Sequence, residues 1–531
     1  MTITGAGSVP VVVVGAGPTG ITVATLLAQY GIRCLVLDRY ASAYPQPRAV
    51  HLDDEINRIV ARLGVSEEFS AISRPTLGLR LLDRDFRVLA QFQRDPAKSV
   101  HGFPQANMFD QPELEALLRA NLKRYPNAEL RGNVDVTDVA QRDHDCVRVT
   151  FTDRSTGNEH LIDARYVLGC DGANSITRAS IGVAMEDLKF QQRWLVADVA
   201  TDAELNQWDG VHQVCNPVRA ATYMRIGPTR YRWEFRLLPG ESCADYRTLS
   251  ALRQLIAPWV QGVHNEELRV VRVAEYTFRA QLAERWRDGN VLLLGDAVHL
   301  TPPFVGQGMG SGLRDAMNLA WKLAAVLNDD LPAGILDTYE RERKPHARLM
   351  IRLALTMGWA MTAGGRVGNL IRRSLAPRLH LIPGLRTRLV NSSTMPLRRS
   401  ALIIKSWHPR ELAGSMCPNP VVADGVRLDT FLGNGFGLIT SKPLSATQNG
   451  ELRLRGTAVI AAQPGTELAQ WLRRGRAAAA IVRPDLAVMQ TGRRVRPLCD
   501  AIPRFPTAVE APRSAPSSAP GNIRQQGFER C

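Results

Sequence analysis

Three glycine-rich runs carry the residues whose types and spacing suit chemistry on an anionic cofactor. In GAGPTG, Gly15, Gly17 and Gly20 follow a β-branched run and precede an Ala/Leu-rich periodic one. A strand that turns on glycines into a helix brings backbone amides to the positive helix end, where a pyrophosphate can sit. Pro18 is preset for the first helical turn, and Gly20 lets helix and strand pack closely. Asp38, followed by Arg39, closes the next apolar run about 20 residues on, where a carboxylate accepts hydrogen bonds from a ribose. In CDGANS, Asp171 and Gly172 directly follow an apolar strand and can meet ribose or phosphate; an ordinary Asp-Gly turn is the alternative. In GDAVHLTPPFVGQGMGSG, Gly295 and Asp296 end a strand, Pro302 and Pro303 stiffen a loop, and a glycine-rich stretch opens a long helix. Bare backbone there lets a planar ring lie close, and the helix N-terminus offers partial positive charge to an anion such as a reduced flavin. A single GxGxxG run is weak evidence; the three in this order point to FAD.

The elements that must position these runs follow from periodicity. VPVVVVGAGPTGITVATLLAQYGIRCLVLDR reads as strand, glycine turn, helix and strand, one βαβ unit. Helical spacing recurs over 55–64 and 111–125, whereas 77–100 and 193–278 break into short alternating runs, the pattern of an antiparallel sheet interrupting a parallel one. The predicted organisation is a discontinuous FAD-binding domain over 1–185 and 280–345, with a short substrate-side excursion near 77–100. A substrate domain follows over 186–279, then a basic helical segment over 346–410, a small α/β domain over 411–500, and a Pro/Ser/Ala-rich tail over 501–531 that reads as disordered.

At 531 residues the chain exceeds what one core holds, so two or three domains are expected. MTITGAGSVP lacks a basic n-region and the apolar run 11–27 is broken by glycines and a proline, so neither a signal peptide nor an integral membrane segment fits, and a cytoplasmic protein is expected. The 8 cysteines show no CxxC pair and no zinc-site spacing, which predicts reduced thiols and no metal. The net charge of +15 is concentrated between Arg341 and Arg410 without aromatic interleaving, which excludes a nucleic-acid partner and reads as a solvated face, a membrane surface or acidic partner being the alternative.

GAGPTG, CDGANS and GDAVHLTPPFVGQG followed by DAMNLAWKL resemble the group A flavoprotein aromatic hydroxylases, the para-hydroxybenzoate and phenol hydroxylase superfamily, over residues 9 to 350. PRAVHLDDE, CNPVRA, YRWEFRLLPGE and IVRPDLAV resemble the 3-(3-hydroxyphenyl)propionate hydroxylase branch. The resemblance implies an α/β fold: a Rossmann-like FAD-binding domain with an inserted antiparallel β-sheet substrate domain, a helical segment and a small thioredoxin-like C-terminal domain, here without redox cysteines. It implies that Arg48 lies beside the flavin, that Gln111 and Glu115 sit near the pyrophosphate and ribitol, and that Asp171 serves FAD and NAD(P)H. Asp296 would hold ribitol, and Pro303 with the loop Gly306, Gln307, Gly308, Met309 and Gly310 would line the isoalloxazine. Two departures stand out: Asp38 replaces the more usual Glu, and Gly310 stands where an Asn commonly follows GQGx.

The implied chemistry is reduction of FAD by NADH or NADPH, capture of O2 as a flavin C4a-hydroperoxide, and transfer of oxygen to a phenolic ring, most simply a 3-(3-hydroxyphenyl)propionate-like compound giving a catechol in aromatic catabolism. The flavin does the difficult step, which explains why no nucleophile triad or metal cluster is present. A phenol still needs a base or acceptor for its hydroxyl, and His51, His212 and Tyr223 are the candidates, with Pro303 at the ring. Arg225 and Arg236 are candidates for a substrate carboxylate, although alternation along YRWEFRLL can turn Arg236 to water. A hydroxylase of larger polycyclic or polyketide phenols is the rival enzyme, and a flavin-binding protein on a membrane surface or an interaction partner is the rival of another class. A halogenase is disfavoured by the lack of WxWxIP and a disulfide reductase by the lack of CxxxxC after the first βαβ unit. A homodimer is compatible with this reading.

Overall fold

The computed structural model describes residues 7–44, 49–94, 99–143, 145–362, 395–407 and 410–505. The β-branched run Gly7–Val14 is the centre of a sheet, flanked by Glu159–Gly169 on one side and Cys34–Leu37 on the other, all parallel. Val291–Leu293 and Ala128–Arg131 extend it in parallel outward. Val11, Val12 and Val13 are fully buried because helices Pro18–Gln29 and Gly308–Leu327 cover one face and a β-hairpin, 134–153, the other. Both the glycine turn and Gly295 leave this sheet at the carboxyl ends of its strands, the place where open α/β sheets bind ligands.

A second sheet of eight strands runs His299–Leu300, Arg269–Ala283, Met185–Ala200, Arg230–Arg236, Ala221–Arg225, Val211–Val214, Gly78–Leu82, Val88–Gln93. The excursion near 77–100 thus joins the inserted sheet at its edge, through a parallel pairing of Gly78–Leu82 with Val211–Val214. Alternation sorts the residues of this sheet between two faces. Tyr223, Tyr231, Trp233 and Phe235 face a closed aromatic core with Trp259 and helix Leu249–Ile256. Their neighbours Thr222, Met224, Arg232 and Glu234 face the other way, toward the flavin-side loops.

The C-terminal sheet has the order Ala458–Ala461, Gly437–Thr440, Ala479–Val482, Val488–Gly492, with the first pair parallel and the rest antiparallel. That is the strand arrangement of a thioredoxin-like domain. It is fastened by charge: Glu342 on the helix Asp337–Thr362 receives Lys322 at 2.9 Å and Arg483 at 3.0 Å, and Arg483 also grips Asp485, all buried. The basic segment expected over 346–410 begins in the same helix; its stretch 363–394, and the tail beyond 505, lie outside the described residues. Among the described residues the cysteines are free thiols, no group of His, Cys, Asp and Glu could hold a metal, and no helix is long and apolar enough to cross a membrane.

Candidate active site

A cavity of about 920 Å³ begins at Gly17, Pro18 and Thr19 and ends on the open face of the inserted sheet. Its first part is shaped by backbone. Gly15 has φ +98° and an added Cβ would lie 2.5 Å from the Cys170 carbonyl oxygen, while one on Gly20 would run into the Gly15 carbonyl. Gly17 and Gly308 instead have open space where a side chain would go. The helix Pro18–Gln29 has no side-chain cap at its start, so its first amides are left for an incoming group. Spent glycine packing beneath and free amides above fit a pyrophosphate, and hence FAD. Gly15 and Gly20 shape the cradle without lining the cavity.

The acids around it divide into those that face the cavity and those that hold its walls. Asp296 and Gln111 line it. Gln111 accepts from the Ala49 amide at 2.6 Å and donates to Glu115 at 2.7 Å, while burial pushes the Glu115 carboxyl up. Asp38 lies beneath the turn, accepting from the Ala16 amide at 2.5 Å and the Tyr40 amide at 2.7 Å. Gly172 lines the cavity with φ +82°, whereas Asp171 does not face it. Its carboxylate accepts from Ser175 Oγ at 2.6 Å and the Thr177 amide at 2.9 Å, bracing the start of the short helix Ile176–Ser180 beneath the cavity wall. Arg39 is exposed, 3.2 Å from Asp135, and does not line the cavity. Arg48 lies outside the described residues.

Pro303, Gly306, Gln307, Gly308 and Met309 line the middle of the cavity. Gly306 takes φ +60°, ending a short turn that a side chain would strain. The loop is pinned by Arg314, which donates to Gln307 Oε1 at 2.9 Å, to Asp53 at 2.8 Å and to Glu55 at 3.1 Å. Against the cost of burial, Arg314 holds the Asp53 carboxyl down to about 2. Gly295 and Gly310 serve packing instead of lining: an added Cβ would sit 2.8 Å from Thr19 Oγ1 in the first case and 3.1 Å from both Arg314 and Ile56 in the second. An Asn at 310 would have no room to reach a ring.

Of the proposed acceptors, only His51 is at the cavity. Burial and the Arg94 cation lower its pKa to about 4. Its Nε2 is 3.1 Å from Arg94 Nη1 and the ring also bonds the Gly306 backbone, so a neutral imidazole has both nitrogens occupied. His212 and Tyr223 are corrected: strand alternation turns both into the aromatic core. His212 stacks on Trp208, donates to its carbonyl at 3.2 Å and is lowered to about 4 by burial, and burial pushes the Tyr223 phenol up. Arg225 bonds the Pro228 carbonyl and lies 3.3 Å from Glu204, and Arg236 donates to the Pro217 and Val218 carbonyls at 2.8 and 2.7 Å. Neither lines the cavity, so neither meets a substrate carboxylate there.

The residues that do form the floor are Val211, Gln213, Thr222, Met224 and Glu234, with Trp194, Leu79 and Phe304 as apolar walls. Sequence reasoning passed over them. Alternation in YRWEFRLL separates Trp233 and Phe235 from Glu234, but both faces of this strand are buried, so hydrophobicity alone does not say which one is open. Arg94 and Arg279 also reach the cavity, from strands far apart in sequence.

Comparison with known proteins places this architecture. The FAD binding domain family matches residues 8–354. A probable NADH-specific resorcinol 4-hydroxylase of Rhodococcus jostii (strain RHA1) is 38% identical over 361 residues, covering 67% of each chain. The 3-(3-hydroxy-phenyl)propionate/3-hydroxycinnamic acid hydroxylase 2 of Burkholderia vietnamiensis (strain G4 / LMG 22486) is 35% identical over 81% of this chain and 78% of its own. Among solved structures, the fold is that of the flavin-dependent monooxygenase PieE, crystallised with FAD and substrate, at a TM-score of 0.76 and 21% identity, covering 92% of this chain and 96% of that one. Aklavinone-11 hydroxylase, with FAD and aklavinone, gives a TM-score of 0.75 at 24% identity over 91% and 95%.

Proposed function

The chain belongs to the FAD binding domain family as an FAD-dependent aromatic monooxygenase, and on that premise we propose that it hydroxylates a single-ring phenol carrying a meta substituent, in the class of resorcinol and 3-(3-hydroxyphenyl)propionate, using NADH and O2 in the cytoplasm. The observation that carries this reading is the continuity of one cavity from the glycine cradle, past Asp296 and the Pro303 loop, onto the floor of the inserted sheet. The relatives at 35% and 38% identity, named for single-ring phenols, support the ring size.

Bound FAD supplies electron transfer from the nicotinamide and activation of oxygen. The chain supplies the rest. The amides after Gly17 would hold the pyrophosphate, Gln111 and Asp296 would hold the ribityl chain, and the loop from Pro303 to Met309 would bear on the ring. Trp194, Phe304, Leu79 and Met224 exclude water from the reacting faces, which prevents loss of the activated oxygen to side reactions. His51, neutral because burial and Arg94 lower it to about 4, ties the loop of Gly306 to Arg94. A propionate tail would meet Arg94, the cation beside His51 in the cavity wall.

The test is a panel of phenols scored for NADH oxidation coupled to hydroxylated product. Resorcinol or 3-(3-hydroxyphenyl)propionate is expected to give coupled turnover. Coupled turnover with multi-ring phenols alone would overturn the proposal.

A further inference from the structure

Two acids lie on the open face of the inserted sheet, and their surroundings differ. Asp198 is completely buried and saturated: Arg232 grips both its oxygens, at 2.7 and 3.0 Å, and Arg272 joins them. Glu234, 9% exposed and two residues along from Arg232, makes no hydrogen bond or ion pair to any described residue, and it faces the cavity. Its carboxylate oxygens are open to the cavity and bonded to no described side chain, so they are available to a ligand that brings a donor.

What would complete Glu234 follows from its neighbours. Across the strands at the same level lie Thr222 and then Gln213. Thr222 Oγ1 donates to Gln213 Oε1 at 3.0 Å, and Gln213 Nε2 donates to the Ala221 carbonyl at 3.1 Å. Thr222 has spent its one donor and Gln213 one of its two N–H groups, while an ionised Glu234 brings only acceptor oxygens, so this floor can accept from a hydroxyl. Met224 packs with Val50 and Met108, setting this strand beside the loop that carries His51. With His51 occupied at both nitrogens and His212 and Tyr223 turned away, no other base named so far is placed for the task.

We propose that Glu234 is the catalytic group that receives the proton of the substrate's ring hydroxyl, an assignment that rests on the proposed phenol hydroxylation. As a ring carbon takes up an OH group, whose former bonding pair stays on the oxygen donor supplied by the NADH- and O2-dependent reaction, the O–H bond of the substrate's own hydroxyl breaks. The electron pair stays on the substrate oxygen and flows into the ring, and the proton forms a bond to a Glu234 carboxylate oxygen. When that ring carbon then gives up its own hydrogen as a proton to solvent, the pair returns to the aromatic ring and Glu234 gives its proton back to the hydroxyl oxygen. Nothing is oxidised or reduced at Glu234. Burial raises the Glu234 pKa while Arg232 on its own strand lowers it and Asp198 on the adjoining strand raises it. Thr222 on the other side is neutral, and Arg94 and the neutral His51 lie in the cavity wall.

The experiment uses the oxidised, FAD-loaded enzyme without NADH. Resorcinol and its dimethyl ether, 1,3-dimethoxybenzene, are titrated while the visible absorbance of the flavin is followed, and kcat/KM for resorcinol is measured separately across pH. A hydrogen bond to a charged group predicts that resorcinol binds about tenfold tighter than the ether, and that this preference grows as pH rises through the ionisation of Glu234. In Glu234→Gln, flavin content is unchanged, the preference falls to roughly twofold, and the acidic limb of kcat/KM disappears. A Glu234→Gln enzyme that keeps both the preference and the limb overturns the proposal. Should that variant lose its flavin, the wild-type titrations decide, because a preference independent of pH overturns it as well. A wild-type enzyme that shows the pH-dependent preference yet yields no hydroxylated product supports Glu234 as hydroxyl acceptor and refutes the reaction.

Discussion

The cofactor cradle and the substrate floor share one cavity but are built in opposite ways. The cradle comes from runs contiguous in sequence, and its holding groups are backbone amides freed by glycines that pack beneath them. Charged side chains nearby, Asp53, Glu55, Arg314 and Asp171, satisfy one another and hold the walls. The floor comes from every second residue of several strands, and one of its side chains, Glu234, has no hydrogen-bond partner among the described residues. The cradle holds backbone donors open and lets its charged side chains satisfy one another; the floor holds a side-chain acceptor open.

The comparison breaks most visibly at the cradle. Gly20→Val drives a side chain into the Gly15 carbonyl, so flavin content is expected to fall by about tenfold or more; a normally flavinated protein would show that the turn does not hold the cofactor. Next in size, Arg314→Met takes away the cation that faces the buried Asp53 and Glu55 carboxylates, with an expected loss of about 3–5 kcal/mol in urea unfolding. The sign of its pH dependence follows from the depressed carboxyl. Asp53, held down to about 2, contributes stability that is present above the ordinary carboxylate range and is lost as pH falls toward 2. The variant should therefore unfold at higher pH than the wild type, and unchanged acid unfolding would contradict the account. Smaller again, Asp171→Ala removes a brace of the helix at 176–180 and should cost about 1 kcal/mol by thermal melting, without slowing reduction of the flavin that remains bound. A slowed reduction step would restore Asp171 to the cofactor contact.

How much of this was legible in the sequence follows from the same contrast. GAGPTG, CDGANS and GDAVH mark backbone geometry, and backbone geometry is local, so Gly17, Gly172, Asp296 and the loop from Pro303 to Met309 were found at the cavity. GFGLIT and TAVIAA likewise mark the paired strands of the C-terminal sheet. Side-chain direction is not local in that sense. His212 and Tyr223 were chosen for chemistry and lie one residue away from Gln213 and Thr222, which face the cavity, because a one-residue change of position flips a side chain across the sheet. Arg39 and Asp171 point off the cavity for a related reason: the motif places the backbone, and a nearby partner, Asp135 in one case and Ser175 in the other, takes the side chain. The clasp of Lys322, Glu342 and Arg483 left no trace in sequence, since Arg483 comes from the C-terminal sheet, 141 residues beyond Glu342.

The central claim is that the open face of the inserted sheet, and not its aromatic core face, meets the ring. It is tested most directly by the affinity for resorcinol, read from the flavin absorbance of two FAD-loaded variants one residue apart. Thr222→Leu fills the floor and removes its hydroxyl, and should weaken binding by about tenfold with flavin content unchanged, whereas Tyr223→Phe should leave it within roughly twofold. The reverse result, with Tyr223→Phe losing affinity and Thr222→Leu keeping it, would contradict the account.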